Sequence, residues 1–152
     1  RIALHARTGK QQYKGHPDLE AFQGFYELCQ HPLYYNGGIE SLSDIRQILI
    51  RFPLLKGVFI GRGLLSSPLL AKEFKGNETF LPEQRMSIYF AFHEELFSAY
   101  SQVLQGETQL LVKMKTLWEY FLPETDRKLL KRIKKSTRLQ QYTESVKAIF
   151  TS

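Results

Sequence analysis

Two short segments of this chain set glycine backbone beside an arginine, an arrangement suited to holding an anion. Asn36-Gly37-Gly38 follows the apolar run Leu33–Tyr35, and Gly61-Arg62-Gly63 follows Gly57–Ile60. Glycine lets the main chain approach a ligand closely and offers N–H donors, while a guanidinium adds a forked, charge-assisted hydrogen bond. Either turn alone is ordinary turn chemistry. Together, with one helical segment between them, they suit a shared phosphate better than two structural turns. In a parallel barrel the loops after neighbouring strands open on one face, so both can grip the same phosphate. A phosphate held after the last two strands of a (β/α)8 barrel usually belongs to a cofactor or substrate, which points to an enzyme.

His5-Ala6-Arg7-Thr8 closes an earlier apolar run and would put His5 and Arg7 at a third strand's C-terminal end, on that same face. A surface loop with two polar residues fits the spacing equally well. The following segment, Thr8 to Gly15, is long for a strand–helix loop and carries Lys10, Tyr13 and Lys14, which suits an extended anionic ligand. Further on, Arg127, Lys128, Lys131, Arg132, Lys134, Lys135 and Arg138 fall within twelve positions with no acid among them. Such a face cannot neutralise itself through i,i+4 pairs, so a polyanion such as nucleic acid competes with the ordinary reading of a solvated helix. Cys29 ends a helical segment away from the glycine turns and reads as a structural thiol. His93 falls on an apolar helix stripe and reads as a core or interface residue. No spacing of His, Cys, Asp or Glu suggests a metal site.

The elements that must position these groups change period near Lys75-Gly76-Asn77. Before it, strands are expected at Ile2–Ala6, Leu33–Tyr35 and Gly57–Ile60. Helices are expected at Leu19–Gln30, capped by Asp18, at Leu42–Arg51, with Ser41 and Asp44 as a capping box, and at Ser67–Phe74. Strand–helix alternation argues for a parallel sheet. After it the chain reads as helix only. Met86, Phe90, His93, Phe97, Tyr100 and Leu104 form one stripe of a helix starting near Pro82. Leu110, Met114, Leu117 or Trp118, and Phe121 mark a second helix stopped by Pro123. Asp126–Lys135 and Arg138–Phe150 make two more. The fold class expected is α/β, the C-terminal part of a (β/α)8 barrel with about three parallel strands, followed by an all-α bundle. The division expected is 1–76 and 77–152.

Composition sets the outer bounds. Hydrophobic residues at 43% and charged residues at 24% are ordinary for a globular protein of 152 residues. The net charge of +6 and a pI near 9.4 make a polyanionic partner plausible. No apolar run reaches the ~20 residues of a membrane span, and a single cysteine fits a reducing cytoplasm. Arg1 is not a methionine and Ile2-Ala3-Leu4 reads as mid-strand. The expectation is a longer parent that has lost its N-terminal part, since three strands leave open sheet edges. The other half of the barrel, or a second copy, would cover them.

The motifs His5-Ala6-Arg7-Thr8-x-x-Gln11-x-Tyr13-x-Gly15, Tyr35-Asn36-Gly37 and Val58-Phe59-Ile60-Gly61-Arg62-Gly63-x-x-x-x-Pro68 resemble, in order and spacing, the C-terminal half of a tRNA-dihydrouridine synthase. The later helices are similar to that family's helical domain. The resemblance implies an enzyme that reduces the C5–C6 bond of uridine in tRNA, with FMN as cofactor and NADPH as reductant. It implies that His5 contacts the flavin and that Asn36, Gly37, Gly38, Gly61 and Arg62 bind the FMN phosphate. Arg7, Lys10, Lys14 and the seven basic residues of 127–138 would face RNA. The family's acidic residue after Asn-Gly is replaced by Gly38, and its Ala-Asp-Trp reads Pro17-Asp18-Leu19. Its Asn-x-Gly-Cys-Pro motif, which carries the catalytic cysteine, is absent, so no catalytic residue is assigned and the isolated piece is expected to be inactive. A non-catalytic RNA-binding module and another FMN-dependent barrel oxidoreductase are the rival readings.

Overall fold

The structure, a computed structural model, describes residues 1–11 and 14–151; Gln12 and Tyr13 of the long loop, and Ser152, lie outside the described residues. The chain divides into two compact units, Arg1–Gly76 and Asn77–Ser152.

In the first unit β1 (Ile2–His5), α1 (Leu19–Leu28), β2 (Leu33–Asn36), α2 (Leu42–Arg51) and β3 (Gly57–Phe59) alternate, followed by α3 (Arg62–Ser66) and α4 (Leu70–Gly76). The strands form one parallel sheet in the order β1-β2-β3, with His5 opposite Asn36 and Asn36 opposite Phe59. Neighbouring parallel strands joined by helices are what successive units of a (β/α)8 barrel look like. Side chains alternate across a strand, so the sheet has two different faces. Ile2, Leu4, Leu33, Tyr35 and Val58 pack with the helix residues Phe22, Ile45, Ile48 and Phe52. Phe22 meets Tyr35 and Phe52 edge-on, with ring centroids 4.9 and 5.0 Å apart. The alternate positions bring Ala3, His5, Tyr34, Asn36 and Phe59 to the other face, where Phe59 stays 52% exposed.

Both expected caps form. Asp18 accepts from the Ala21 N–H at 2.9 Å. Ser41 Oγ accepts from the Asp44 N–H, and Asp44 Oδ2 accepts from the N–H groups of Ser41 and Glu40 at 2.8 and 3.0 Å. The shorter acid completes a capping box that usually uses Glu. The helix expected at Ser67–Phe74 is α4, shifted to Leu70–Gly76, and two helices rather than one follow β3. The first begins directly at Arg62, and Ser67 is pulled out of helical geometry (φ −136°, ψ 88°) because the ring of Pro68 crowds the residue before it.

The second unit consists, among the described residues, of α5 (Pro82–Val103), α6 (Glu107–Leu117), α7 (Arg127–Lys135) and α8 (Leu139–Phe150). On α5 the deepest residues are Tyr89 and His93, so the buried stripe is centred one position off the expected one. Helix α6 ends before Pro123. The N–H groups of Trp118, Glu119 and Tyr120 bond three residues back, to Lys115, Thr116 and Leu117, tightening the last turn, with Trp118 and Phe121 buried.

His93 is buried in a chain of hydrogen bonds joining α5, the end of α6 and α8. Trp118 Nε1–H donates to the Tyr142 hydroxyl at 2.9 Å, that hydroxyl donates to His93 Nε2 at 2.6 Å, and His93 Nδ1–H donates to Glu94 at 3.1 Å. This order of donors uses a neutral imidazole. Burial lowers the His93 pKa against the opposing hydrogen bond and charge of Glu94, and burial raises that of Tyr142. In the unfolded chain a histidine titrates near pH 6.5. Below that pH the unfolded state takes up a proton that the folded state refuses, so stability falls with pH, by up to ~1.4 kcal/mol per unit. Urea unfolding followed through Trp118 is therefore expected to show a midpoint that drops from about pH 6.5 to about pH 5. His93→Gln should flatten that part of the profile; parallel profiles for the two proteins would show His93 is not the group responsible.

Candidate functional site

At the C-terminal ends of the three strands the loops converge on a cleft of about 250 Å³. His5, Asn36, Gly37, Gly38, Gly61 and Arg62 all line it, joined by Arg7, Ile39, Glu40 and Phe59. The parallel register explains the grouping. His5, Asn36 and Phe59 occupy one row across neighbouring strands, and the turns that leave β2 and β3 open on that row. Gly37 (φ 148°) and Gly38 (φ 59°) adopt backbone that side-chain-bearing residues rarely take, and among the described residues neither N–H donates to the protein. Two guanidiniums and one carboxylate, Glu40, give the cleft a positive balance. The arrangement can bind a small polyvalent anion through backbone donors and charge.

Two close approaches hold the loops together. A Cβ at Gly63 would collide with the carbonyl oxygen of Ile39 and come within 3.1 Å of the Glu40 Cα. The start of α3 therefore rests directly on the main chain leaving β2. A Cβ at Gly38 would lie 2.9 Å from the Pro17 ring. The two departures from the expected family pattern thus occupy one space: Pro17 fills the room that a side chain at position 38 would take.

Arg7, expected to face RNA, sits at this cleft. Its guanidinium donates to the Gly15 carbonyl at 3.0 Å, and Gln11 Nε2 donates to the His16 carbonyl at 2.7 Å, so these two side chains tie the start of the long loop to its end. Lys10 and Lys14 are exposed on that loop and do not line the cleft. Cys29 caps the far end of α1, and its thiol donates weakly to the His31 carbonyl at 3.6 Å. Among the described residues no group of three or more His, Cys, Asp or Glu could hold a metal ion, and no helix is long and apolar enough to cross a membrane.

The helical unit carries a second feature. Asp126 caps α7 through the N–H groups of Lys128 and Leu129, and Ile133 anchors its apolar face. The i, i+3, i+4, i+7 spacing leaves Lys128, Lys131, Arg132 and Lys135 on a shared flank. These four line a groove of about 460 Å³ against α8, with Ser136, Gln141, Glu144 and Ser145. Among the described residues none of the four is in an ion pair. Arg127, Lys134 and Arg138 are exposed but stand outside the groove.

A parallel βα unit with an anion cleft at its strand ends, followed by a helical unit with a basic groove, defines a barrel-type protein. The chain belongs to the dihydrouridine synthase (Dus) family, whose profile matches residues 1–151. It is 34% identical over 74 residues to a probable tRNA-dihydrouridine synthase of Aquifex aeolicus (strain VF5), across 49% of this chain and 23% of that protein. It is 36% identical over 67 residues to a probable tRNA-dihydrouridine synthase of Rhizobium leguminosarum bv. phaseoli, across 44% of this chain and 21% of that protein. The matched stretch is less than a quarter of either relative's length.

Proposed function

We propose that this chain supplies the cofactor-phosphate cradle and an RNA-binding helix pair of a flavin-dependent tRNA-dihydrouridine synthase in the cytoplasm. The observation that supports it is the meeting of His5, the Gly37-Gly38 backbone and Arg62 in one cleft. FMN, reduced by NADPH, would supply hydride to C6 of a tRNA uridine. The residues fit its phosphate: an arginine, and two glycine N–H groups that bond nothing else among the described residues. Asn36 and His5, neighbours across the sheet, would orient the rest of the cofactor, and Arg7 would border it rather than RNA. No residue here is assigned the protonation of C5; Cys29 lies at the wrong end of α1.

FMN is expected to bind the 152-residue chain weakly, because the cleft is shaped for a phosphate and little more. Phosphate recognition should still show as tighter binding of FMN than of riboflavin. Arg62→Ala removes a charge-assisted hydrogen bond and should erase about 10-fold or more of that preference. Equal binding of FMN and riboflavin, or nanomolar FMN affinity of the isolated chain, would contradict the assignment. For the enzyme that contains this segment, dihydrouridine formed on unmodified tRNA with NADPH is the deciding assay. Bleaching of its flavin by NADPH with no dihydrouridine formed would favour an oxidoreductase with a different substrate.

A further inference from the structure

We infer that a second cleft, on the helix side of the Gly37–Ile39 strap, is a binding site for a nucleobase. It measures about 330 Å³ and lies between the start of α1 and the face of α2. Its apolar lining comes from Pro17, Leu19, Ile39 and Ile48, aliphatic surface on which a planar ring can stack. Tyr35 lies in its lining and is 1% exposed, its ring locked against Phe22. The hydroxyl stands beside Gly37, where an added Cβ would be 3.3 Å away, and among the described residues it makes no hydrogen bond. The hydroxyl keeps contact with the open cleft and is available to donate to a ligand there. Burial raises its pKa, the nearby Arg7 charge opposing, which keeps it a neutral donor.

The other polar atoms fix what that ligand presents. Gln47 Nε2 donates to Ser43 Oγ at 3.3 Å, leaving its carbonyl oxygen to accept. Asp44 spends Oδ2 on the Ser41 and Glu40 N–H groups, leaving Oδ1. His16 and Arg51, the latter bonded to Glu20 and Gln23, complete the polar lining. The Tyr35 donor beside the two acceptors, with apolar walls, matches the edge of a heteroaromatic ring that carries an acceptor next to N–H groups. Nucleobases have that edge, and their faces stack on apolar side chains. The base can come from a free nucleoside or from an unstacked nucleotide of RNA. The cleft needs no phosphate and no Arg62, which separates it from the anion cleft across the strap.

The test is an amide-shift titration of the 152-residue chain with adenosine, uridine, and short single-stranded oligoadenylate and oligouridylate. Saturable shifts at Gly37, Gly38 and Gln47 are expected; shifts with the nucleosides assign a free-nucleoside source, and shifts with the oligonucleotides alone assign a base within RNA. Tyr35→Phe should weaken binding about 3- to 10-fold while leaving the urea midpoint unchanged, since the hydroxyl has no protein partner to lose. Gln47→Ala, at an exposed position, should weaken it similarly, and Arg62→Ala should not alter nucleoside binding. No saturable shift with any of the four probes, or unchanged affinity in Tyr35→Phe, overturns the inference.

Discussion

Raising the salt from about 50 to about 200 mM is expected to weaken tRNA binding by this chain roughly 10³-fold. The size follows from counting cations. All seven basic residues of 127–138 are exposed, and each phosphate they neutralise releases a counterion. Replacing Lys128, Lys131, Arg132 and Lys135 by Ala leaves three, and the same salt step should then cost only about 10- to 50-fold. At fixed moderate salt the variant should bind about 10²-fold more weakly than the parent. The choice of these four rests on the groove, because Lys134 does not line it although it sits in the same run. An alternative variant carrying Arg127→Ala, Lys134→Ala and Arg138→Ala removes nearly as much charge from outside the groove. Equal loss in the two variants would mean that net charge, and not the groove, attracts RNA. A flat salt response in the parent would remove this helix from RNA binding altogether. The substitutions change solvent-facing side chains, and Ile133 and the Asp126 cap that hold α7 stay in place, so loss of affinity should come without loss of helix content.

The elements and their faces were legible because short-range rules decided them. Period-two runs marked β1 to β3, Asp18 and Ser41 marked where α1 and α2 begin, and the stripe through His93 marked α5. The break at Ser67 was also written in the chain, as Pro68, but Gly61-Arg62-Gly63 reads as a turn and hid the short helix that precedes the break. Less visible was anything that depends on approach between distant segments. Arg7 reads as one more cation in a basic loop until its bond to the Gly15 carbonyl and its place in the cleft lining are seen. Tyr35 reads as a core aromatic, and only the packing around it shows a hydroxyl that opens on a cleft beside Pro17 and α2 and, among the described residues, donates to nothing. His93 was recognisable as buried, while its partners Trp118 and Tyr142, far along the chain, were recognisable only as apolar positions. Phe59 was part of an apolar strand, and the parallel register turns it toward the cleft.

Gly63→Ala is expected to destabilise the first unit by about 3 kcal/mol and to abolish the phosphate preference of the cleft. Glycine at this position is not needed for its backbone angles, since residue 63 lies inside α3 with ordinary helical geometry. By helix propensity alone alanine should stabilise, by about 1 kcal/mol. Space decides the sign. The added methyl would overlap the Ile39 carbonyl oxygen and crowd Glu40 Cα, both main-chain atoms that cannot swing aside as a side chain would. Relief requires α3 to lift from the strap that follows β2, carrying Arg62 away from Gly37 and Gly38. The same residue therefore sets both the packing of the unit and the distance between its two sources of anion donors. Arg62→Ala separates the two effects: it should lose the preference for FMN over riboflavin with an almost unchanged urea midpoint, whereas Gly63→Ala should lose both. Raised stability in Gly63→Ala, with the amide shifts of Gly37 and Gly38 unmoved, would mean that the two turns do not touch. They would then have no geometric reason to hold one phosphate between them.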